Sequence, residues 1–281
     1  MSTKRLSPLV LVCLTVLSSA LHAQTCPDRY IVQPDTDPAN GRYPDPNVTA
    51  SCSGSTMTVT SNGIPGFAFQ QITPNRLRAQ SFRWTIPVAP ALPANASDIP
   101  LLGTIAFSVN GLPIYGPNEG ARPADEAFGD PIFNGIMDFC LGHTGPRAEY
   151  HLHAVLAECV DSVTPAGEAS PILGFALDGF PIYGPSGCLD ESCTEVVEFQ
   201  SSWVQVGDPT SQAWDNYEYV ENENEAFLDE CNGRIGPDGT YRYHATATFP
   251  YVLGCYAGED ILKSDASQNG VEKASTSTFS L

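Results

Sequence analysis

The sequence predicts a mainly β protein, a disulfide-stabilised sandwich or barrel-like core with long loops, built from two related halves. Its 24 glycines and 24 prolines are spread over 281 residues and leave little room for long helices. Short apolar runs that are rich in β-branched and aromatic residues and bounded by turn residues are typical of strands. The clearest runs are 56–60, 82–86, 104–109, 150–156 and 196–199.

The first 23 residues have the pattern of a secretory signal peptide. Lys4 and Arg5 precede an apolar run at 9–17 and a small-residue segment, which predicts cleavage after Ala20 or Ala23. A single spanning anchor is the alternative, but the run is shorter than the ~20 apolar residues that a bilayer requires. We therefore expect a secreted or periplasmic protein without a stable membrane anchor.

Cysteine usage agrees with export. Cys13 falls within the signal segment and an even number of cysteines remains, which predicts disulfides in an exported chain. Eight cysteines allow about 105 pairings, and we favour the local pairs Cys26–Cys52 and Cys188–Cys193. No Cys-x-x-Cys occurs, which argues against thiolate zinc sites and thioredoxin-type chemistry. The eight are Cys26, Cys52, Cys140, Cys159, Cys188, Cys193, Cys231 and Cys255.

The formal net charge is -19. Removal of Lys4 and Arg5 with the signal segment would take it from -19 to -21. Such a surface repels phosphate backbones and argues against nucleic-acid binding. It is compatible with cations, calcium included, and with a small molecule or an extracellular polymer as partner.

An internal repeat divides the mature chain. The segment 110–117, Asn-Gly-Leu-Pro-Ile-Tyr-Gly-Pro, recurs at 178–185 as Asp-Gly-Phe-Pro-Ile-Tyr-Gly-Pro. The segment 138–154 then aligns without a gap with 229–245. The repeated turns have an architectural interpretation, although Asp178 stands where the first copy has an asparagine. We predict a β-rich extension packing on the core, a duplicated core and a polar tail, at 24–100, 101–258 and 259–281.

The two copies end in related motifs, Tyr150-His151-Leu152-His153 and Tyr241-Arg242-Tyr243-His244. Together with the Gly-Phe-Pro-Ile-Tyr-Gly-Pro segment and the Leu-Asp-Glu-Cys-Asn-Gly run at 228–233, they resemble the YHYH domain family. The resemblance covers about 101–258 and implies an exported, metal-linked protein without an established reaction. This chain departs from the Tyr-His-Tyr-His motif at Leu152 and Arg242, and Arg234 stands where the first copy has His143.

The histidines of the duplicated core predict a metal site. Residues i and i+2 of a strand share one face, so His151 and His153 can converge on one ion. His143 can fold back across a Gly-Pro turn as a third ligand. Three neutral imidazoles suit copper or zinc. Either one ion lies in the first copy, or His244 completes a four-histidine site; the alternative is that all of them are structural.

Several charged residues are further candidates in this hypothesis. Asp138, Glu149 and Asp229 are candidate ligands or orienting acids for the imidazoles. Arg234 and Arg242 form either a salt bridge to Asp229, Glu230 or Asp238 or an anion pocket.

Three functions remain open from the sequence. The first is a metal-binding protein, and with an open coordination position it is an enzyme in which zinc supports hydrolysis or copper supports oxidation. The second is a non-catalytic binding or adhesion module with structural histidines. The third is a metal-free hydrolase that uses paired acids, which leave no signature in a sequence. No nucleophile elbow, phosphate-binding loop or dinucleotide motif occurs.

Overall fold

The fold is mainly β, as predicted. The structure is a computed structural model that describes residues 26–120 and 129–258. Within these ranges, fifteen strands and four 3₁₀ helices occur, and there is no α-helix. The predicted signal segment 1–23 and the predicted tail 259–281 lie outside the described residues.

A three-stranded antiparallel sheet precedes the repeated region. It has the order β1-β2-β3, and side chains along β2 alternate between buried and partly buried positions, as expected where one face packs on a core. Trp84 of β3 stacks on Phe107 with ring centroids 4.9 Å apart, so this sheet packs on the larger one. The strands are β1 Val48–Ser53, β2 Thr56–Ser61 and β3 Phe82–Pro87.

An eight-stranded mixed sheet forms the centre of the molecule, in the order β14-β15-β9-β8-β4-β5-β7-β6. Its central strands are almost fully buried and rich in apolar residues, as expected for strands covered on both faces. The strands are β4 Thr104–Ser108, β5 Pro113–Tyr115, β6 Gly142–Thr144, β7 Tyr150–Leu152, β8 Ile172–Ala176, β9 Pro181–Tyr183, β14 Gly233–Ile235 and β15 Tyr241–His244.

Strand pairing in this sheet follows the same pattern outward from its middle. β4 and β8 pair antiparallel at the centre, and each has an antiparallel neighbour, β5 or β9. A parallel partner follows, β7 or β15, and then an antiparallel edge strand, β6 or β14. We call β4–β7 the first half of the sheet, and β8, β9, β14 and β15 the second half. Because the sheet ends in two edge strands, the barrel-like alternative is wrong for the described residues.

Smaller elements complete the described chain. Two hairpins pair β10 with β11 and β12 with β13. Their strands are β10 Ser186–Cys188, β11 Val196–Glu198, β12 Trp203–Gln205 and β13 Tyr217–Tyr219. The 3₁₀ helices are Pro27–Tyr30, Pro38–Asn40, Ala157–Val160 and Trp214–Asn216. Among the residues that the structure describes, no helix has the length and apolar character of a membrane span.

Four disulfides join the eight cysteines outside the signal segment. Cys26–Cys52 and Cys188–Cys193 form as we favoured from the sequence. The other two close loops of similar length, with sequence separations of 19 and 24 residues. They are Cys140–Cys159, beside the first half of the sheet, and Cys231–Cys255, beside the second.

Candidate metal centre

Three of the predicted histidines converge at the edge of the first half. His143 of β6 lies directly opposite His151 of β7 in the antiparallel register. His153 follows β7, and its backbone N–H donates to the Leu141 carbonyl at 2.9 Å, which continues the pairing. Gly142 allows the two strands to approach this closely, since a Cβ there would meet the Tyr150 hydroxyl and the His151 carbonyl.

A carboxylate that the sequence analysis missed completes the cluster. Glu119 lies in the loop after β5, and its backbone N–H donates to the Gly129 carbonyl at 3.0 Å. Its Oε2 lies 2.9 Å from His143 Nε2 and 3.3 Å from His153 Nε2. One ligand atom from each of four residues then lies within 4.8 Å of all the others. We call Glu119, His143, His151 and His153 the histidine cluster.

Backbone carbonyls set the orientation of two rings. His153 Nδ1 lies 2.7 Å from the Gly116 carbonyl, and His143 Nδ1 lies 3.2 Å from the Ile136 carbonyl. Since a carbonyl only accepts, each Nδ1 carries the hydrogen, and a neutral ring presents its Nε2 lone pair to Glu119. Carbonyls commonly orient the histidine ligands of metals in this way.

The third ring is held by stacking instead. His151 lies against the Tyr115 ring, with centroids 3.9 Å apart and an interplanar angle of 13°. Its side chain is buried, and neither ring nitrogen has a hydrogen-bond partner among the described residues. Buried polar atoms usually have a partner, and a metal ion at the cluster would supply one to this ring.

The electrostatics of the cluster favour a negative acid and a neutral His151 ring. Burial acts to raise the pKa of Glu119, but the adjoining His143 and His153 rings outweigh it and hold that pKa well below its usual range. Burial lowers the pKa of His151 far below its usual value, and repulsion from the other two rings adds to this. A negative carboxylate and a neutral His151 ring therefore lie together in this buried site, an arrangement that a bound cation would stabilise.

Four acids named from the sequence lie outside the cluster. Asp138 and Asp229 accept hydrogen bonds from the Tyr150 and Tyr241 hydroxyls, at 2.8 and 2.9 Å. Asp178 is buried and accepts from the Tyr243 hydroxyl at 2.5 Å.

Glu149 is also buried and accepts from the Tyr115 hydroxyl at 3.3 Å. The Tyr115 ring that makes this contact stacks on His151 of the cluster.

The candidate residues of the second half lie away from the histidine cluster. His244 Nδ1 donates to the Gly184 carbonyl at 2.8 Å, and its ring packs on Phe199 with centroids 4.4 Å apart. His244 is not among the four grouped residues, so the structure does not bring it to the other three histidines. Arg242 pairs with Asp238 at 2.5 Å, as one of the two sequence interpretations predicted.

A signal for Glu119 was present in the repeat. Continuing the aligned turns by two residues sets Asn118-Glu119 against Ser186-Gly187. The acid thus occurs in the copy that has His143 and His151, and a glycine stands in the copy that has arginines there. A second difference that accompanies the loss of histidines indicates a shared site.

Comparison with known proteins places the chain in a family. The family model described as YHYH protein matches residues 83–258, which include β3 from its second residue onward, all eight strands of the central sheet and the three clustered histidines. Comparisons with curated proteins and with solved structures give no significant match. Since the family match covers more than half of the 281 residues, this protein belongs to the YHYH protein family.

Proposed function

We propose that this protein is exported and that its histidine cluster binds one zinc or copper ion. The observation that carries the proposal is the convergence of three imidazoles and one carboxylate within 4.8 Å. Zinc and copper both accept imidazole nitrogen, with bonds of about 2.0–2.1 Å for zinc. Calcium suits the cluster less well, because it takes about six to eight oxygen ligands.

The orientation of the rings supports a metal over a purely structural role. His143 and His153 direct their Nε2 atoms at the same carboxylate oxygen, while their Nδ1 atoms are held by carbonyls. In a structural role, a ring normally donates to its acid, which here would require extra protons in a buried site. A metal ion supplies the positive charge without them.

Glu119 is the ligand that exchanges most readily in this proposal. Its side chain is 28% exposed, whereas those of His143 and His153 are 3% and 0% exposed. A small molecule would therefore reach the ion past Glu119. If the coordination position of Glu119 opens, the protein would act as an enzyme, in which zinc supports hydrolysis or copper supports oxidation.

We also propose that the two halves of the central sheet arose by duplication and that only the first kept a metal site. The repeated segments and the matching order of strand pairings support this. In the second half, Arg234 lies opposite Arg242 at the positions that His143 and His151 occupy in the first. A guanidinium stays protonated and cannot act as a ligand.

Export is proposed from the predicted signal segment together with four disulfides, which persist in oxidising compartments. In this proposal the extension 24–100, the core 101–258 and the tail 259–281 form the mature chain. Its partner would be a small molecule or an extracellular polymer.

Metal content measured by mass spectrometry tests the proposal. We expect about one zinc or copper ion per wild-type chain and none in the double variant His151→Ala with His153→Ala. His244→Asn is the matched control, since it removes the histidine that lies outside the cluster. Circular dichroism of each variant would show that the fold is intact.

Absence of metal from the wild type, and no uptake when zinc or copper is added, would contradict the proposal. The histidines would then be structural, and the protein would be a binding or adhesion module or a metal-free hydrolase.

A further inference from the structure

The second half of the sheet contains a pocket where the first half has the histidine cluster. The cavity measures about 80 Å³, several times the space that one water molecule needs. Two arginines and a histidine line it together with aromatic rings and a glycine. We call these six residues the arginine pocket: Tyr183, Gly187, Phe199, Arg234, Arg242 and His244.

Residues at matching positions give the pocket the opposite charge to the cluster. Arg234 lies opposite Arg242 across β14 and β15. His244 lies at the position equivalent to His153. Its Nδ1 donates to the carbonyl of Gly184, which is equivalent to the Gly116 carbonyl in the first half. Gly187 stands where Glu119 lies in the first half. Compared with the histidine cluster, the pocket therefore has no acid at this position and has two cationic arginines.

Aromatic rings hold both guanidinium groups. Arg234 lies over the Phe199 ring and Arg242 over the Tyr183 ring, each with Cζ 4.6 Å from the ring centroid. Stacking fixes a guanidinium without using its five N–H donors. Arg242 Nε is buried and lacks a hydrogen-bond partner within the described chain. A residue that lines the pocket therefore carries an unsatisfied donor.

The acids around the pocket do not neutralise it fully. Asp238 pairs with Arg242, but its side chain is 60% exposed. Glu225 acts on Arg234 from a greater distance, and Arg234 itself donates to the carbonyls of Cys188 and Leu189 at 2.9 and 3.1 Å. Burial lowers the pKa of Arg234, and the charge of Arg242 lowers it further. The pocket is thus a cationic cavity in a protein of net charge -19.

His244 defines what else the ligand must offer. Its Nδ1 carries a hydrogen to the Gly184 carbonyl, so the neutral ring turns a lone pair at Nε2 towards the cavity. This Nε2 atom is buried and has no partner among residues 26–120 and 129–258. A ligand that satisfies it must donate a hydrogen while its anionic oxygens accept from the arginines.

We propose that the arginine pocket binds a phosphate group that retains one hydroxyl hydrogen, either free or as a small monoester. Arginine forks match pairs of phosphate oxygens, and the P–OH group donates to His244 Nε2. Gly187 leaves open the space that a carboxylate fills in the first half. This site is independent of the proposed metal site, and each can fail without the other.

Calorimetric titration of the full chain with inorganic phosphate at about pH 5, below the second pKa of about 6 of a monoester, so that both ligands retain a hydroxyl hydrogen, tests the proposal. We expect one phosphate per chain and affinity about tenfold weaker or more in Arg242→Gln. Arg83→Gln, which changes an exposed arginine of β3, is the matched control. Glycerol phosphate titrated in parallel distinguishes the two sources, since the tighter of the two ligands identifies the one that the pocket favours.

A variant that binds phosphate more tightly is a useful second test, because misfolding cannot cause a gain of phosphate affinity. Asp238→Asn removes the acid that competes for Arg242, and we expect it to tighten phosphate binding several-fold. Sulfate carries no hydrogen at this pH, so it should bind more weakly than phosphate.

Three results would overturn the proposal. They are no binding of phosphate at millimolar concentration, equal affinities for sulfate and phosphate, and loss of phosphate binding in His151→Ala, which would place the anion on a metal in the histidine cluster.

Discussion

His143 faces His151 across β6 and β7, whereas Arg234 faces Arg242 across β14 and β15. The backbone around the two pairs is alike: in each half the next histidine donates Nδ1 to a glycine carbonyl, at 2.7 Å in one and 2.8 Å in the other. Each half also has a tyrosine ring against the site, Tyr115 on His151 and Tyr183 under Arg242.

Three positions account for the difference between the halves. The first half has a glutamate and two histidines where the second has a glycine and two arginines. Equivalent strands and carbonyls orient the side chains in both halves. In our two proposals, the identity of these three residues therefore decides whether a half binds a cation or an anion.

The largest effect is expected when a residue of the second half is placed in the first. His143→Arg removes a ligand and places a fixed positive charge beside Glu119, which would then pair with the guanidinium instead of the ion. We expect metal affinity to fall on the order of a thousandfold, measured by competition with a chromophoric chelator. Arg234→His, the reverse exchange, should leave the first site unchanged. An equal loss of metal affinity in both variants would contradict the assignment of metal binding to the first half.

Acid should destabilise the second half through His244. Burial and the nearby Arg242 and Arg234 lower the pKa of His244 to about 4, while the unfolded chain keeps the ordinary value near 6.5. The unfolded state then binds more protons between these values, so this contribution is complete above about pH 6.5 and is lost as the pH falls towards 4. The loss amounts to about 3 kcal/mol.

Chemical denaturation of His244→Asn at several pH values measures this effect. The asparagine amide can still donate to the Gly184 carbonyl but cannot gain a proton. The free energy of unfolding should therefore depend less steeply on pH than in the wild type over this range. An identical dependence in the two proteins would contradict the assignment.

Metal should stabilise the fold through the first half alone. A ligand that binds only the folded state at about one hundred times its Kd raises the free energy of unfolding by about 2.7 kcal/mol. Denaturant titrations with and without zinc should show this gain in the wild type and in Arg234→His. His151→Ala should show none, and a gain that persists there would place the metal elsewhere.

The smallest expected difference concerns the tyrosine–aspartate pairs. The Tyr150 hydroxyl donates to the buried Asp138, and the Tyr241 hydroxyl donates to Asp229, which is exposed. Hydrogen bonds to charged groups contribute more where water is excluded, so Tyr150→Phe should cost about 2 kcal/mol and Tyr241→Phe about 1 kcal/mol. Denaturant midpoints would measure both, and a larger loss for Tyr241→Phe would contradict this order.

Much of the fold could be predicted from the sequence because its signals are local. The runs 56–60 and 82–86 alternate or carry β-branched residues, and they form β2 and β3. The disulfide Cys188–Cys193 could be predicted for the same reason, because its two cysteines are close together in the sequence. The open sheet was not predicted, because whether a sheet closes depends on how distant strands pair at its two ends.

The site was predicted in part. His151 and His153 share a strand face, a relation fixed by the strand period of two residues, and His143 pairs with them through a single turn. Glu119 lies in a different loop, and only the parallel pairing of β5 with β7 brings that loop to the histidines.

The sequence by itself determined the strands, two of the disulfides, the acidic charge and the three neighbouring histidines, since each depends on residues that are close along the chain or on composition. The tertiary structure decided that Glu119 joins those histidines and that His244 lies with two arginines instead. The physical reason is that contacts across a sheet depend on which strands pair and in what register, and this is settled by packing over the whole core.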